Sequence, residues 1–247
     1  MQVKALLAEV RALHRRKGRE ERGLFLAQGP KLVRELFASG WPVHALYATE
    51  AAARSLALRD ASILPPHVLE RMGTQESGNE VVALARIPKH VPPVRLADGE
   101  LALALDGIAD PGNLGTVLRI ADWFGVKHVL LAEGSVDPFN PKCVQASMGA
   151  VFRVQAHTCD LPAALDTLRS EGAALYLADM GGSTVFDAPL KRPAVLVLGS
   201  ESHGLSDAVC ALRGETIAVP RVGGAESLNV AMAAAALCME FTRQARP

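Results

Sequence analysis

Aromatic side chains are scarce in this chain: two Trp, two Tyr and seven Phe, 4% of 247 residues. Its core must come mainly from aliphatic side chains and alanine, and an apolar share of 49% supplies them. Long apolar runs are also missing. The longest is ten residues, Val230 to Met239, where a membrane span needs about 18, so no membrane association is expected. The opening stretch MQVKALLAEVRALHRR sets charge on both sides of a short apolar segment. It lacks the hydrophobic region of a signal peptide, and a cytoplasmic location is expected. Cysteine is sparse. Cys143, Cys159, Cys210 and Cys238 form no Cys-x-x-Cys pair and no zinc spacing, so free thiols in a reducing compartment are expected. No His/Asp/Glu spacing points to a metal. No Gly-x-Gly-x-x-Gly follows a strand pattern and no Walker loop occurs, so neither classical dinucleotide binding nor P-loop chemistry has support.

Net charge is zero, yet unevenly spread. Residues 1–95 hold 15 basic and 9 acidic side chains, and residues 96–247 hold 11 and 17. The asymmetry fits a nucleic-acid-facing half joined to a half with another task, and equally fits chance variation between domains. The sign changes at Ile87-Pro88-Lys89-His90-Val91-Pro92-Pro93. Three prolines there continue neither a helix nor a central strand, and they make a stiff linker. We divide the chain into a domain at 1–90, a linker at 91–97 and a domain at 98–247.

Before the linker, Val3, Leu6, Leu7, Val10 and Leu13 recur at helical spacing over 3–16. Residues 15–22 read as a basic-rich turn, Leu24 to Ala27 as a strand and Pro30 to Ala38 as a helix. Val43 to Tyr47 and Val81 to Arg86 read as further strands. After the linker, strands are expected at 101–105, 128–131, 151–154, 173–178, 194–198 and 216–219. Helices are expected near 113–124, 140–148, 160–170, 205–212 and 227–242. Such alternation argues for a parallel sheet covered by helices on both faces. Ligands bind such sheets beyond the carboxyl ends of the strands.

Three turns lie there. The first runs from Asp106 to Gly115 and leads into Thr116-Val117-Leu118-Arg119. Asn113 reads as a helix N-cap, and Arg119 falls on the polar side of the helix with Gly115 one turn earlier. A helix N-terminus, a missing side chain and an Arg suit a phosphate or ribose-phosphate group; a capped surface helix with a solvated Arg fits as well. The second is Gly199-Ser200-Glu201-Ser202-His203-Gly204. Residue 200 is Ser where a nucleophile elbow needs Gly, and Ser202 beside His203 makes no triad. Glu201 either accepts from ligand hydroxyls or caps the next helix. The third runs from Val219 to Asn229 into an alanine-rich helix, with Ser227 as the expected N-cap. The alanines let another backbone approach, from this chain or a second subunit.

In this order, Asn113-x-Gly115-x-x-x-Arg119, Leu198-Gly199-Ser200-Glu201-Ser202-His203-Gly204 and Ser227-Leu228-Asn229-Val230 resemble the SpoU (TrmH-like) family of RNA ribose 2′-O-methyltransferases, in the SPOUT superfamily. The stretch Asn140 to Ala150 looks like the family too. Phe25 to Val33 is similar to the ribosomal-protein-like substrate-binding domain that many members carry. The resemblance implies an α/β chain with a C-terminal parallel-sheet trefoil-knot domain, preceded by a smaller α/β RNA-binding domain. It implies S-adenosylmethionine held by Leu198, Gly199, Ser200, Glu201, Gly204, Val219, Pro220, Leu228 and Asn229. It also implies a homodimer with its active site at the interface. Arg119 would contact the target nucleotide and Asn113 would place the ribose or the Arg. Glu201 would shape the site, and Ser227 and Asn229 would order it. Gln28 and Gln145 depart from the family, which often has Glu and Arg there.

The expected activity is donor-dependent 2′-O-methylation of structured RNA, above all ribosomal RNA. Arg15, Arg16, Lys17, Arg19, Arg22 and Lys31 are expected to grip its phosphates. A transfer-RNA target is the alternative within the class. A non-catalytic RNA-binding or ribosome-assembly factor is the alternative outside it, and a small-molecule α/β enzyme would leave the basic arm unexplained.

Overall fold

Side chains that alternate along each strand decide which helices cover which face. A computed structural model describes residues 3–74, 79–88 and 94–245; most of the proline-rich linker, 89–93, lies outside them. The N-terminal elements are α1 (Val3–Ala12), α2 (Arg16–Arg22), β1 (Leu24–Gln28), α3 (Pro30–Ala38), β2 (Val43–Ala48), α4 (Glu50–Ser55), β3 (Ser62–Ile63), α5 (Pro66–Met72) and β4 (Val81–Arg86). Their sheet has the order β1-β4-β2-β3, with β4 antiparallel to both neighbours. Leu24 and Leu26 of β1 face a core with Leu6, Leu7 and Val10 of α1 and Leu69 of α5. Phe25 and Ala27 face the opposite core with Val33 and Leu36 of α3. That split is the two-residue period of a strand.

The basic-rich segment is a helix, α2, and not a turn. It ends at Gly23, whose φ of 62° is left-handed and whose N–H bonds the Arg19 carbonyl at 2.7 Å. Gly18 lies so close to α1 that a Cβ would stand 2.0 Å from the Ala12 carbonyl oxygen.

The second sheet comprises β5 (Leu101–Asp106), β6 (His128–Ala132), β7 (Gln155–Cys159), β8 (Ala174–Thr184), β9 (Ala194–Gly199) and β10 (Glu215–Ala218). Its order is β10-β8-β9-β5-β6-β7, and every pairing is parallel. Six strands were expected there, five near their observed positions. The sixth, expected at 151–154, is a 3₁₀ turn at Ala150–Phe152, and the strand follows at Gln155–Cys159. Val151 and Phe152 are apolar because they plug the core. The edge strand β7 pairs on one side only and reads QAHTC, which hides it from a search for apolar runs.

Helices α6 (Pro111–Trp123), α7 (Pro141–Ala146) and α10 (Val230–Gln244) share a core with Leu101, Leu103 and Leu105. Helices α8 (Leu161–Ser170) and α9 (Asp207–Cys210) cover Ala102 and Ala104 on the other face. Strand order reverses between β9 and β5, the switch point where such sheets open a crevice. The first core continues into the N-terminal sheet. Phe25 meets Phe139 at 4.7 Å between ring centroids, and Trp41 meets Phe152 at 5.7 Å. Two ion pairs join the same halves, Arg19 to Asp137 and Arg153 to Glu35, each at 2.6 Å.

Candidate active site

The carboxyl ends of β5, β9 and β10 release three loops, and short polar contacts tie them together. Asp106, the last residue of β5, pairs in register with Gly199 of β9. Its Oδ2 accepts from the Ser206 N–H at 2.7 Å, which fastens the first loop to the second. Ser200 and Gly204 exchange backbone bonds of 2.9 and 3.0 Å and pinch the loop into a tight arch. Gly199 must lack a side chain, because a Cβ would sit 2.2 Å from the Gly204 carbonyl carbon. The Asn113 amide donates to Glu201 Oε1 and its Oδ1 accepts from Asn229 Nδ2 at 3.0 Å. One side chain thus bridges all three loops.

Two expected caps are displaced. Asp110 and not Asn113 caps α6, accepting from the Asn113 N–H at 2.9 Å. Pro111 fits the first helical position, where a missing N–H costs nothing, so the helix begins earlier and Asn113 is freed to cross-link. Asn229 and not Ser227 caps α10, accepting from the Ala231 N–H at 3.0 Å. Ser227 lies exposed in the loop before it. Asp110 also accepts from Lys142 Nζ at 3.0 Å. That bond, then the Asn113 N–H, holds its carboxyl below the usual aspartate range.

Gly115 does not open space for a ligand. It is buried, and a Cβ would stand 2.5 Å from the Cys143 carbonyl oxygen and 2.6 Å from Ala146 Cβ. Its missing side chain lets α7 press against α6. Arg119 is exposed on α6 and has no hydrogen bond or ion pair among the described residues. Asn113, Thr116 and Arg119 follow one another along an i, i+3 row of that helix. Ser202 Oγ and His203 Nδ1 lie 2.7 Å apart in the open.

Beside the arch opens a cavity of about 880 Å³, in the size range of ligand sites. Leu198, Gly199, Ser200, Glu201 and Gly204 line one wall, and Val219, Pro220, Ser227 and Leu228 another. Asn229 stands between the lining residues Leu228 and Val230. Val230, Ala233 and Leu237 of α10 contribute the helical side. A further wall was not foreseen: Asp179, Met180, Gly181, Gly182 and Thr184 of β8. There β8 runs on past its expected end, and its pairing with β10 slips between Thr216 and Ile217. Gly182 permits the crossing, since a Cβ would lie 2.7 Å from the Ile217 nitrogen. The Gly-Gly pair at 181–182, shortly beyond the apolar run 173–178, is the signal that marks this wall in the sequence.

The basic arm is mostly spoken for. Arg16 pairs with Glu20 at 2.8 Å, Lys17 with Glu21 at 3.9 Å and Arg22 with Glu21 at 3.6 Å. Arg19 is 2% exposed, bonds the Leu13 carbonyl and is locked to Asp137. It is a structural residue and not a phosphate contact. Arg15 and Lys31 are exposed. Gln28 is buried and bonds Asn79, and its Oε1 accepts from the Thr74 N–H and hydroxyl, so its difference from the family is a matter of packing. Among the described residues no group of three or more His, Cys, Asp or Glu is placed to hold a metal, and no helix is long and apolar enough to cross a membrane.

Comparison with known proteins places this geometry. The family model described as SpoU rRNA Methylase matches residues 100–239, and the MRM3-like substrate binding domain matches residues 3–83. The 23S rRNA (guanosine(2553)-2′-O)-methyltransferase RlmP of Bacillus subtilis (strain 168) is 31% identical over 229 residues, covering 91% of each chain. A TrmH-family protein from Porphyromonas gingivalis superposes with a TM-score of 0.87 at 40% identity, covering 96% of this chain and 97% of that one. The SpoU methyltransferase AviRb from Streptomyces viridochromogenes, solved with its cofactor AdoMet, superposes with a TM-score of 0.88 at 30% identity over 97% of both chains. This chain therefore belongs to the SpoU rRNA methylase family and carries an MRM3-like substrate binding domain at its N-terminal end.

Proposed function

We propose that this protein transfers a methyl group from S-adenosylmethionine to a ribose 2′-hydroxyl of ribosomal RNA. The observation that carries this reading is the Asn229–Asn113–Glu201 bridge. It draws three loops around one cavity, and its central Asn113 lies on the helix that presents Arg119, which has no partner among the described residues. The cavity fits the donor on its own terms. Gly199 and Gly182 let backbone come close where a Cβ would clash, Leu198, Ile217 and Leu237 offer an apolar bed, and exposed loop backbone offers hydrogen bonds. Bound there, the donor supplies a methyl group already activated on a sulfonium. The chain's own residues hold and align. Leu198, Gly199, Ser200, Glu201, Gly204, Val219, Pro220 and Leu228 line the donor's cavity, and Asn113, Ser227 and Asn229 keep the loops in register. Glu201 shapes the boundary between cofactor and ribose. Arg119 stays charged at any working pH, so it is no base. It stabilises negative charge developing on the ribose oxygen, and a substrate phosphate takes the proton. Alignment and exclusion of water supply the remainder.

The proposal extends to assembly. Trp123 of α6 is 84% exposed, and Met232 and Met239 of α10 are 58% and 61% exposed. The two helices pack side by side, and exposed apolar side chains on adjacent helices suit an association site. We assign it to a second copy of this chain, forming a homodimer. The chain passes through itself in a trefoil knot where the three loops meet, and the protein works in the cytoplasm. Residues 1–90 form the substrate-binding domain, 91–97 the linker and 98–247 the methyltransferase domain. Val94 and Leu96, within the linker, already pack on the second domain's core, so the linker's last residues belong with that domain. The direct test is transfer of tritium from methyl-labelled donor to protein-free ribosomal RNA. Label retained in RNA is the expected result, and donor binding without any transfer to ribosomal RNA overturns the reading.

A further inference from the structure

The N-terminal domain has a second cavity, of about 600 Å³, far along the chain from the methyl-transfer loops. Its floor is apolar: Val33 of α3, Leu46 of β2, and Leu56 and Leu58 after α4. Its rim is aromatic and basic. Phe37 is 47% exposed, and Arg34, His44 and Arg59 stand around it. Arg86 joins from β4, bonding His44 Nδ1 at 3.2 Å. Asp60 is the one acidic residue of the lining among the described residues. Neither Arg34 nor Arg59 has a hydrogen bond or ion pair among the described residues, in contrast to the paired basic side chains of α2. The loop that carries Arg59 is built with care. Ala57 takes a left-handed φ of 53°, and the Leu58 N–H returns to the Ala53 carbonyl at 2.9 Å. This closes α4 and turns Leu58 and Arg59 toward α3.

We propose that this cavity is a second RNA subsite, holding one unstacked nucleotide of the substrate at a distance from the methylated ribose. The inference rests on the reading of this chain as an RNA-modifying enzyme. An exposed Phe over an apolar floor is a stacking platform for any base. Two unpaired guanidiniums beside it match the flanking phosphates in charge and geometry. A protein partner would bury the same Phe but would leave two arginines opposed by a single Asp60. A nucleotide satisfies both features at once, and the basic excess of residues 1–95 favours the same occupant.

The test uses the full-length protein and protein-free ribosomal RNA. Ultraviolet cross-linking followed by mass spectrometry is expected to find RNA attached within residues 33–60. Phe37→Leu and the pair Arg34→Gln/Arg59→Gln are each expected to weaken RNA binding about tenfold, and the pair to flatten its salt dependence. KM for RNA should rise accordingly while kcat and donor affinity hold. Binding needs no turnover, so an enzyme that failed to methylate would still report on this subsite. Unchanged RNA affinity in both variants overturns the proposal, as do cross-links confined to other segments. Loss of the dimer in either variant also overturns it, by making the cavity a contact between copies of the chain.

Discussion

Arg119 differs from Arg153 and Arg19 in that nothing in the described chain holds it. Arg153 is gripped by Asp122 and Glu35, and Arg19 is buried against Asp137. A free guanidinium on the helix that also carries Asn113 is poised for a group the chain itself lacks. Its planar fork can bond two oxygens at once, which an ammonium cannot do in the same geometry. Arg119→Lys should therefore lower kcat by roughly a hundredfold or more, the scale for losing one preorganised donor to a developing oxyanion. Donor affinity measured by calorimetry should stay unchanged, since Arg119 does not line the donor cavity. Near-normal turnover in single-turnover kinetics would remove the special role of the guanidinium. Much of this was legible at the level of single residues. Asn113, Glu201 and Asn229 meet one another, and eight of the nine residues expected around the donor line the cavity, with Asn229 flanking it. The caps were misread because Asn113 and Ser227 are good capping types, and sequence alone ranks cap types without seeing which residue the first turn reaches.

At the scale of elements, the contact between α6 and α7 rests on Gly115. A methyl group there meets Cys143 backbone and Ala146 together. Gly115→Ala should cost about 1–3 kcal/mol, the usual price of overpacking, seen as a lower Tm with the donor absent. Unaltered stability would mean the two helices separate freely. Strand pairing carries a pH signature. His157 of β7 is buried beside His128 of β6, with Nε2 and Nδ1 3.2 Å apart. Burial, then the His128 charge, pulls the His157 pKa down to about 4. The unfolded chain binds that proton more readily than the folded one between about pH 6.5 and 4. Stability is thus complete above pH 6.5 and falls as acid is added through that window. His157→Asn should flatten the fall in a Tm against pH series, and an unchanged slope would contradict the assignment. The alternation of apolar strands and amphipathic helices made most of the second sheet readable. The polar edge strand β7 and the short α4, β3 and α5 were not, because β7 lacks an apolar run and the other three are too short to leave a periodic trace. The extension of β8 escaped for another reason: Met180 to Thr184 is held by β10 and by glycine-enabled backbone crossing, a contact made late in the chain.

For the whole molecule, one aliphatic core runs beneath both sheets, and the Arg19–Asp137 and Arg153–Glu35 pairs pin the substrate-binding half to the methyltransferase half. Trp123, Met232 and Met239 form the proposed dimer face. Met232→Glu with Met239→Glu should yield a monomer by light scattering and reduce methyl transfer by at least tenfold, whereas a fully active monomer would detach the site from assembly. The account as a whole stands on where the methyl group lands. Ribosomal RNA from cells lacking this protein, treated with the purified enzyme and S-adenosylmethionine, can be digested and read by nucleoside mass spectrometry. A single gained 2′-O-methylribose, strongly diminished with Arg119→Lys at equal reaction time, is the predicted result. A methyl group on a base, or a ribose product undiminished in that variant, would contradict the account.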